Sequence, residues 1–225
     1  KIRFDLPILI RMLKIGLPSG IQSIMYNISN MTIQARVNSF GTNTAAAWAA
    51  YGKLDAVFWM IINAFGISIT TFVGQNYGAG KIDRAKKGVK SVFLMSTITT
   101  VFLEIIYIAF GRFGYLIFLS DNEVISIGMR IMRTIAPFYF TYISIELFSG
   151  AIRGAGKVLV PTLFTVIGIC GMRILWLSIP ALCKTIELVM VCYPVSWTIV
   201  SVLFFIYYRY GNIYGYANPK LRRFK

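Results

Sequence analysis

The chain predicts an all-α fold, a polytopic membrane protein built as a bundle of six transmembrane helices. Three observations predict it. Of 225 residues, 57% are hydrophobic and only 14% charged, where a soluble domain is about half apolar and about a quarter charged; mean hydropathy is +0.68. Six stretches, near 16–38, 45–74, 91–111, 128–151, 158–180 and 187–208, are long and apolar enough to cross roughly 30 Å of hydrocarbon as helices. The basic residues gather at one set of stretch ends. Strands would leave backbone groups unpaired in lipid, and no alternation of roughly ten residues recurs to mark a barrel.

The first stretch is the weakest in hydropathy because it carries Ser19, Ser23, Asn27, Asn30 and Gln34. Their spacing of three and four residues puts them on one helical face, with Gln22 and Tyr26 at its margins. Pro18 and Gly20 near its start permit a bend. Such a stripe is either a helix interface joined by amides or the lining of a water-filled cavity. Five polar groups on one stripe favour the cavity.

The second stretch ends at "FVGQNYGAGKIDRAKKG", residues 72–88. A phosphate-binding loop needs G-x-x-x-x-G-K-[ST], but Gly74 and Gly80 are too far apart and Ile82 follows Lys81. The tetrapeptide "GAGK" recurs at 154–157, again where an apolar stretch stops. Glycine supplies the left-handed position after a helix and lysine suits its C-terminal dipole, so both copies read as helix stops in preference to a repeated hinge.

The third stretch carries Glu104 and the fifth Arg173, each roughly 20 Å from the basic side. Equal depth predicts that they pair, which offsets the cost of placing each charge in low dielectric. The fourth repeats the polar pattern: Tyr139, Tyr142, Glu146, Ser149 and Arg153 fall on one face, and Pro137 opens the backbone ladder beside them. Glu146 lies roughly 10 Å inside the basic boundary with no cation at its own depth. It is the ion-coupling candidate, able to take up and release a proton or cation, or else a structural glutamate reaching a neighbour or Arg153. Asp55 and Lys53, with Arg36, Arg130 and Arg133, are expected near the opposite boundary, and Arg153 is the one arginine expected to face inward.

Orientation follows from lysine and arginine counts. Lys1, Arg3, Arg11 and Lys14, then Lys81 to Lys90, then Arg153 and Lys157, then the tail from Arg209 share one side, whereas loops 39–44, 112–127 and 181–186 hold only Arg112 and Lys184. Both termini are therefore expected in the cytoplasm. The net charge of +15 is topological, so no nucleic-acid partner is expected. The chain has no histidine, and Cys170, Cys183 and Cys192 lack ligand or disulfide spacing. No metal, no cofactor and no enzyme activity are expected. No signal peptide is visible, and the Lys1 start predicts a piece of a longer protein.

Several segments together resemble a known family. "LPSGIQS" (17–23), "NSFGTNTAAAWAAYGKLD" (38–55), "TFVGQNYGAGKIDRAKKG" (71–88), "SGAIRGAGKVLVP" (149–161) and "MRILW" (172–176) are similar to the multidrug and toxic compound extrusion (MATE) transporters. The resemblance implies one six-helix lobe, residues 1–225, of a twelve-helix two-lobed protein, and the wording is closer to the C-terminal lobe. It implies multi-pass residence in a cell membrane, of bacterial inner-membrane type. It also implies alternating-access efflux of amphipathic or cationic small molecules by proton or sodium antiport, with an N-terminal lobe as partner. The sodium-coupled branch has a glutamate where Tyr26 stands and an aspartate where Tyr142 stands; neither carboxylate is present here, and Glu146 one turn away offers a displaced acidic site. The substrate-cavity candidates are Gln22, Ser23, Tyr26, Asn27, Asn30, Gln34, Tyr139 and Tyr142. The alternative is a lipid or lipid-linked oligosaccharide flippase of the same architecture, which calls for a more basic cavity. A membrane scaffold would instead be sealed and apolar.

Overall fold

The computed structural model describes residues 5–215, with only the backbone described for Arg11. Lys1, Arg3 and the tail from residue 216, which enter the orientation argument, lie outside the described residues. Helix α1 spans Leu6–Asn38, α2 Thr42–Gly78 and α3 Ile82–Leu116. The fourth span is α4 (Asn122–Ile135), a 3-10 turn at Ala136–Phe138, and α5 (Tyr139–Gly154). The fifth is α6 (Leu159–Thr165), a π-helical segment at Val166–Gly171, and α7 (Met172–Leu177). The sixth is the short α8 (Ile186–Met190) followed by α9 (Cys192–Tyr210). Together they give six spans long and apolar enough to cross a membrane.

Residues suited to their positions mark the helix ends. Asp5 caps α1 by accepting from the Ile8 N–H at 3.2 Å, and Asp121 caps α4 by accepting from the Glu123 N–H at 2.7 Å. Both "GAGK" copies close a helix in the same way. Gly80 (φ +72°) and Gly156 (φ +86°) adopt the left-handed conformation. The Gly80 N–H reaches the Tyr77 carbonyl and the Lys81 N–H the Asn76 carbonyl; Gly156 and Lys157 repeat this on Arg153 and Ile152. This double bond is the Schellman motif, which satisfies the last free carbonyls of the helix.

Helix α5 is the centre of the bundle, packed on α2, α9 and α3. Its crossing with α2 depends on missing side chains. A methyl group on Gly154 would stand 2.6 Å from the Thr70 carbonyl oxygen, and one on Gly150 would stand 3.0 Å from that of Gly66. Both obstacles are backbone atoms that cannot turn away, so the G-x-x-x-G spacing of Gly150 and Gly154 lets the two backbones approach closely. Helix α1 is different: the most apolar stretch of this span has none of its residues buried, whereas that of the fourth span is 72% buried.

Pro137 breaks the fourth span. The Tyr139 N–H closes a tight turn on the Ala136 carbonyl, and the next donor, the Phe140 N–H, goes to Glu104 Oε1 of α3 at 2.8 Å. The Glu104 carboxylate therefore serves a backbone donor that the proline break frees. The expected Glu104–Arg173 pair is not formed; among the described residues the ion pair is Arg130–Glu187, 3.2 Å apart. Equal depth placed the two groups at one level of the bundle without fixing which way each helix faced.

Candidate functional site: two chambers sharing a tyrosine pair

The polar stripe of α1 faces α5, and between them lie two cavities stacked along the bundle. The one towards the basic end has a volume of about 250 Å³ and is lined by Ser19, Gln22, Ser23 and Tyr26 of α1, Asn63 of α2, Thr165 of α6, and Tyr142, Glu146, Ser149 and Arg153 of α5. The other has about 560 Å³ and is lined by Tyr26, Asn30 and Gln34 of α1, Trp48, Tyr51, Asp55 and Trp59 of α2, Tyr142 of α5, Arg173 of α7, and Tyr193 and Trp197 of α9. Tyr26 and Tyr142 border both and mark the boundary between them. A larger groove of about 860 Å³ flanks the first half of α1 beside Gly156–Val160; it is mostly apolar, with Lys14 and Lys157, and carries no carboxylate.

In the basic-end chamber, Arg153 Nη2 donates to Gln22 Oε1 at 2.8 Å, tying α5 to α1. Glu146 lies about two turns above Arg153 on the same helix and lines the same chamber. Its place depends on Gly66 of α2, where any side chain would collide with the Glu146 carboxyl group. The Ser19 and Ser23 hydroxyls donate to carbonyls of their own helix at 3.0 and 3.1 Å. Their protons are thereby committed and their lone pairs remain as acceptors. A carboxylate beside hydroxyl oxygens can bind a proton or a hard cation.

The second chamber is walled by aromatic rings. Trp59 meets Tyr142 edge-on at 4.6 Å, Tyr142 meets Trp197 at 5.3 Å, Tyr193 meets Trp197 at 5.5 Å, and Trp48 stacks on Tyr51 at 5.4 Å. Asp55 is held in this wall. Trp59 Nε1 donates to its Oδ2 at 2.5 Å and the Tyr139 hydroxyl donates to its Oδ1. Because the Tyr139 proton is spent on Asp55, the Tyr51 hydroxyl is the donor in its 2.5 Å contact with Tyr139. Arg173, 2% exposed, lies with its guanidinium 4.0 Å from the centre of the Tyr193 ring.

Of the residues singled out from sequence, Gln22, Ser23, Tyr26, Asn30, Gln34, Tyr142 and Glu146 line one or both chambers. Asn27 lines neither and is exposed on α1. Each four-residue step overshoots a full turn by about 40°, and Asn27 falls past the edge of a stripe centred nearer Tyr26. Tyr139 is fully buried behind the aromatic wall, turned towards Asp55 and stacked on Phe58 at 3.8 Å. Asp55 and Arg173 also line a chamber, which was not anticipated; Arg153 was expected as the sole inward arginine. The spacing Tyr51–Asp55–Trp59, one helical turn apart twice, is the signal for Asp55.

The MatE family model matches residues 18–178 of the chain. The chain belongs to the MatE family. MatE proteins are transporters and not enzymes. The MatE relatives include the probable multidrug resistance protein YoeA of Bacillus subtilis, 25% identical over 93% of this chain and 46% of its own length. Another is an FAD transporter of Shewanella oneidensis, 24% identical over 77% of this chain and 38% of its own. The chain thus spans about half the length of the curated relatives it matches. A crystal structure of MATE in complex with MaL6 has the same fold, with a TM-score of 0.81 at 13% identity over 92% of this chain and 47% of that one. A MOP superfamily transporter from Pyrococcus furiosus matches with a TM-score of 0.80 at 16% identity, over 89% and 44%.

Proposed function

We propose that this six-helix unit forms one wall of a secondary active exporter, which moves amphipathic small molecules across the bilayer by alternating access in exchange for a proton or sodium ion. The observation that carries the reading is the pair of polar chambers inside an apolar bundle, divided at Tyr26 and Tyr142. A sealed scaffold has no use for buried volume of this size, and about 560 Å³ is within the range that accommodates a drug-sized molecule. In this reading the aromatic chamber receives the substrate and the basic-end chamber holds the coupling ion at Glu146. The rest of the protein supplies the opposite wall. The expected location is a bacterial plasma membrane, and the family relatives extend the substrate range from multidrug export to FAD.

A flippase is the second reading, favoured by one observation: two arginines, Arg153 and Arg173, line the chambers. The test is ion-gradient-driven dye efflux by the full-length protein in proteoliposomes. Glu146→Gln is expected to abolish the dependence on the gradient, because an amide cannot exchange a proton or balance a cation. Gradient-driven efflux at the wild-type rate in Glu146→Gln removes Glu146 as the coupling group.

A further inference from the structure

Arg173 is the cation of the aromatic chamber, and the protein gives it no ion-pair partner. It is 2% exposed, and no carboxylate lies within ion-pair distance of it among the described residues. Guanidinium is a fixed charge that carries the cost of its own burial. An unpaired buried charge is strongly destabilising, and the ring of Tyr193 offsets only part of that. The chamber-lining carboxylates do not reach Arg173: Asp55 accepts from Tyr139 and Trp59, and Glu146 lines the other chamber.

A second observation points to the same missing group. Two buried donors in this wall, Arg173 Nε and Trp197 Nε1, have no hydrogen-bond acceptor. A buried donor without an acceptor calls for an explanation, and a polar ligand at the site is one. Both belong to residues that line the same cavity. What satisfies a guanidinium and an indole N–H together is an anionic oxygen group. The surrounding faces of Trp48, Trp59 and Tyr142 offer stacking surfaces to a planar ring.

We infer that the aromatic chamber is an anion-selective substrate site, in which Arg173 and Trp197 bind the carboxylate or phosphate of a molecule whose body is aromatic. The inference rests on the transport reading above and narrows it: the preferred cargo is an amphipathic anion or zwitterion, and a cation without an anionic group is second best. The cargo gives the Arg173 guanidinium the direct partner that Asp55, held by Tyr139 and Trp59, does not supply.

The test uses a rhodamine bearing a free carboxylate and its methyl ester, which share one aromatic body. Uptake and efflux of both are measured with the full-length protein in proteoliposomes, and binding is read from quenching of tryptophan fluorescence in detergent. The wild type is expected to favour the carboxylate at least about tenfold, the ratio of one charge-assisted hydrogen-bonded pair. Arg173→Gln should erase that preference by costing the carboxylate at least about tenfold more than the ester, and Arg173→Lys should restore part of it. Trp197→Phe keeps the ring, deletes the donor, and should cost the carboxylate a smaller factor. In the same vesicles a fluorescent phosphatidate is followed by external quenching: Arg173-dependent movement of the lipid alone assigns the anion to a headgroup, and movement of the dye alone assigns it to a soluble molecule. Equal handling of carboxylate and ester by the wild type, or equal loss of both in Arg173→Gln with none of it rescued by Arg173→Lys, overturns the anion site and leaves the exporter standing. No movement of any probe overturns both.

Discussion

Removing one oxygen atom from Tyr139 tests the account of the aromatic wall. Tyr139→Phe keeps the ring that stacks on Phe58 and deletes only the hydroxyl that donates to Asp55 and accepts from Tyr51. The packing term therefore cancels, and the cost is that of polar groups. A hydrogen bond to a charged acceptor contributes about 1.5–3 kcal/mol, and the Tyr51 hydroxyl is left without its acceptor. A neutral bond between helices in a membrane contributes on average only about 0.6 kcal/mol. Tyr51→Phe, which removes just that outer bond, should thus cost well under half as much as Tyr139→Phe. The double substitution should cost less than the sum, because the two residues share one network. The assay is unfolding of the purified full-length protein in micelles, followed by tryptophan fluorescence. A loss of about 2 kcal/mol is a shift of roughly thirtyfold in the folded-to-unfolded ratio. Tyr51→Phe costing as much as Tyr139→Phe, or strict additivity in the double variant, refutes the chain of donors from Tyr51 through Tyr139 to Asp55.

The remaining predictions concern the proline break and the chambers. Glu104→Gln keeps an acceptor for the Phe140 N–H and should be mild, whereas Glu104→Ala orphans that donor and should cost about 1–3 kcal/mol in the same unfolding assay; equal effects would refute the role given to Glu104. A cysteine at Asn30 should react with a water-soluble maleimide and be protected by bound substrate. One at Ser29, which is fully buried, should not react; the reverse order would refute the rotation assigned to α1.

What the sequence disclosed depended on contrast with the apolar background. The stripe from Ser19 to Gln34 and the line from Tyr142 to Arg153 stood out because hydroxyls, amides and charges are costly in lipid, so both chambers could be anticipated on α1 and α5. The aromatic wall could not. Trp48, Trp59, Tyr193 and Trp197 look like lipid-facing residues in an apolar stretch, and only their convergence from two spans makes a site. Asp55 was read for depth alone, and a depth count along the 37 residues of α2 does not say which side of the helix lines a chamber. Arg173 follows the π-helical segment at Val166–Gly171, and one extra residue in a turn rotates all that comes after it by about 100°. No hydropathy pattern announces that rotation, so equal depth with Glu104 was mistaken for contact.

The glycine crossing of α2 and α5 has a mechanical consequence. With backbone lodged against backbone at Gly150 and Gly154, those two helices cannot slide or hinge past one another without collision, and they behave as a stiff slab carrying Asp55, Trp59, Tyr142 and Glu146. Helix α1, little buried along its most apolar stretch, bears the facing amides and hydroxyls. Opening the divide at Tyr26 and Tyr142 then requires α1 to move relative to that slab, which carries Glu146 with it.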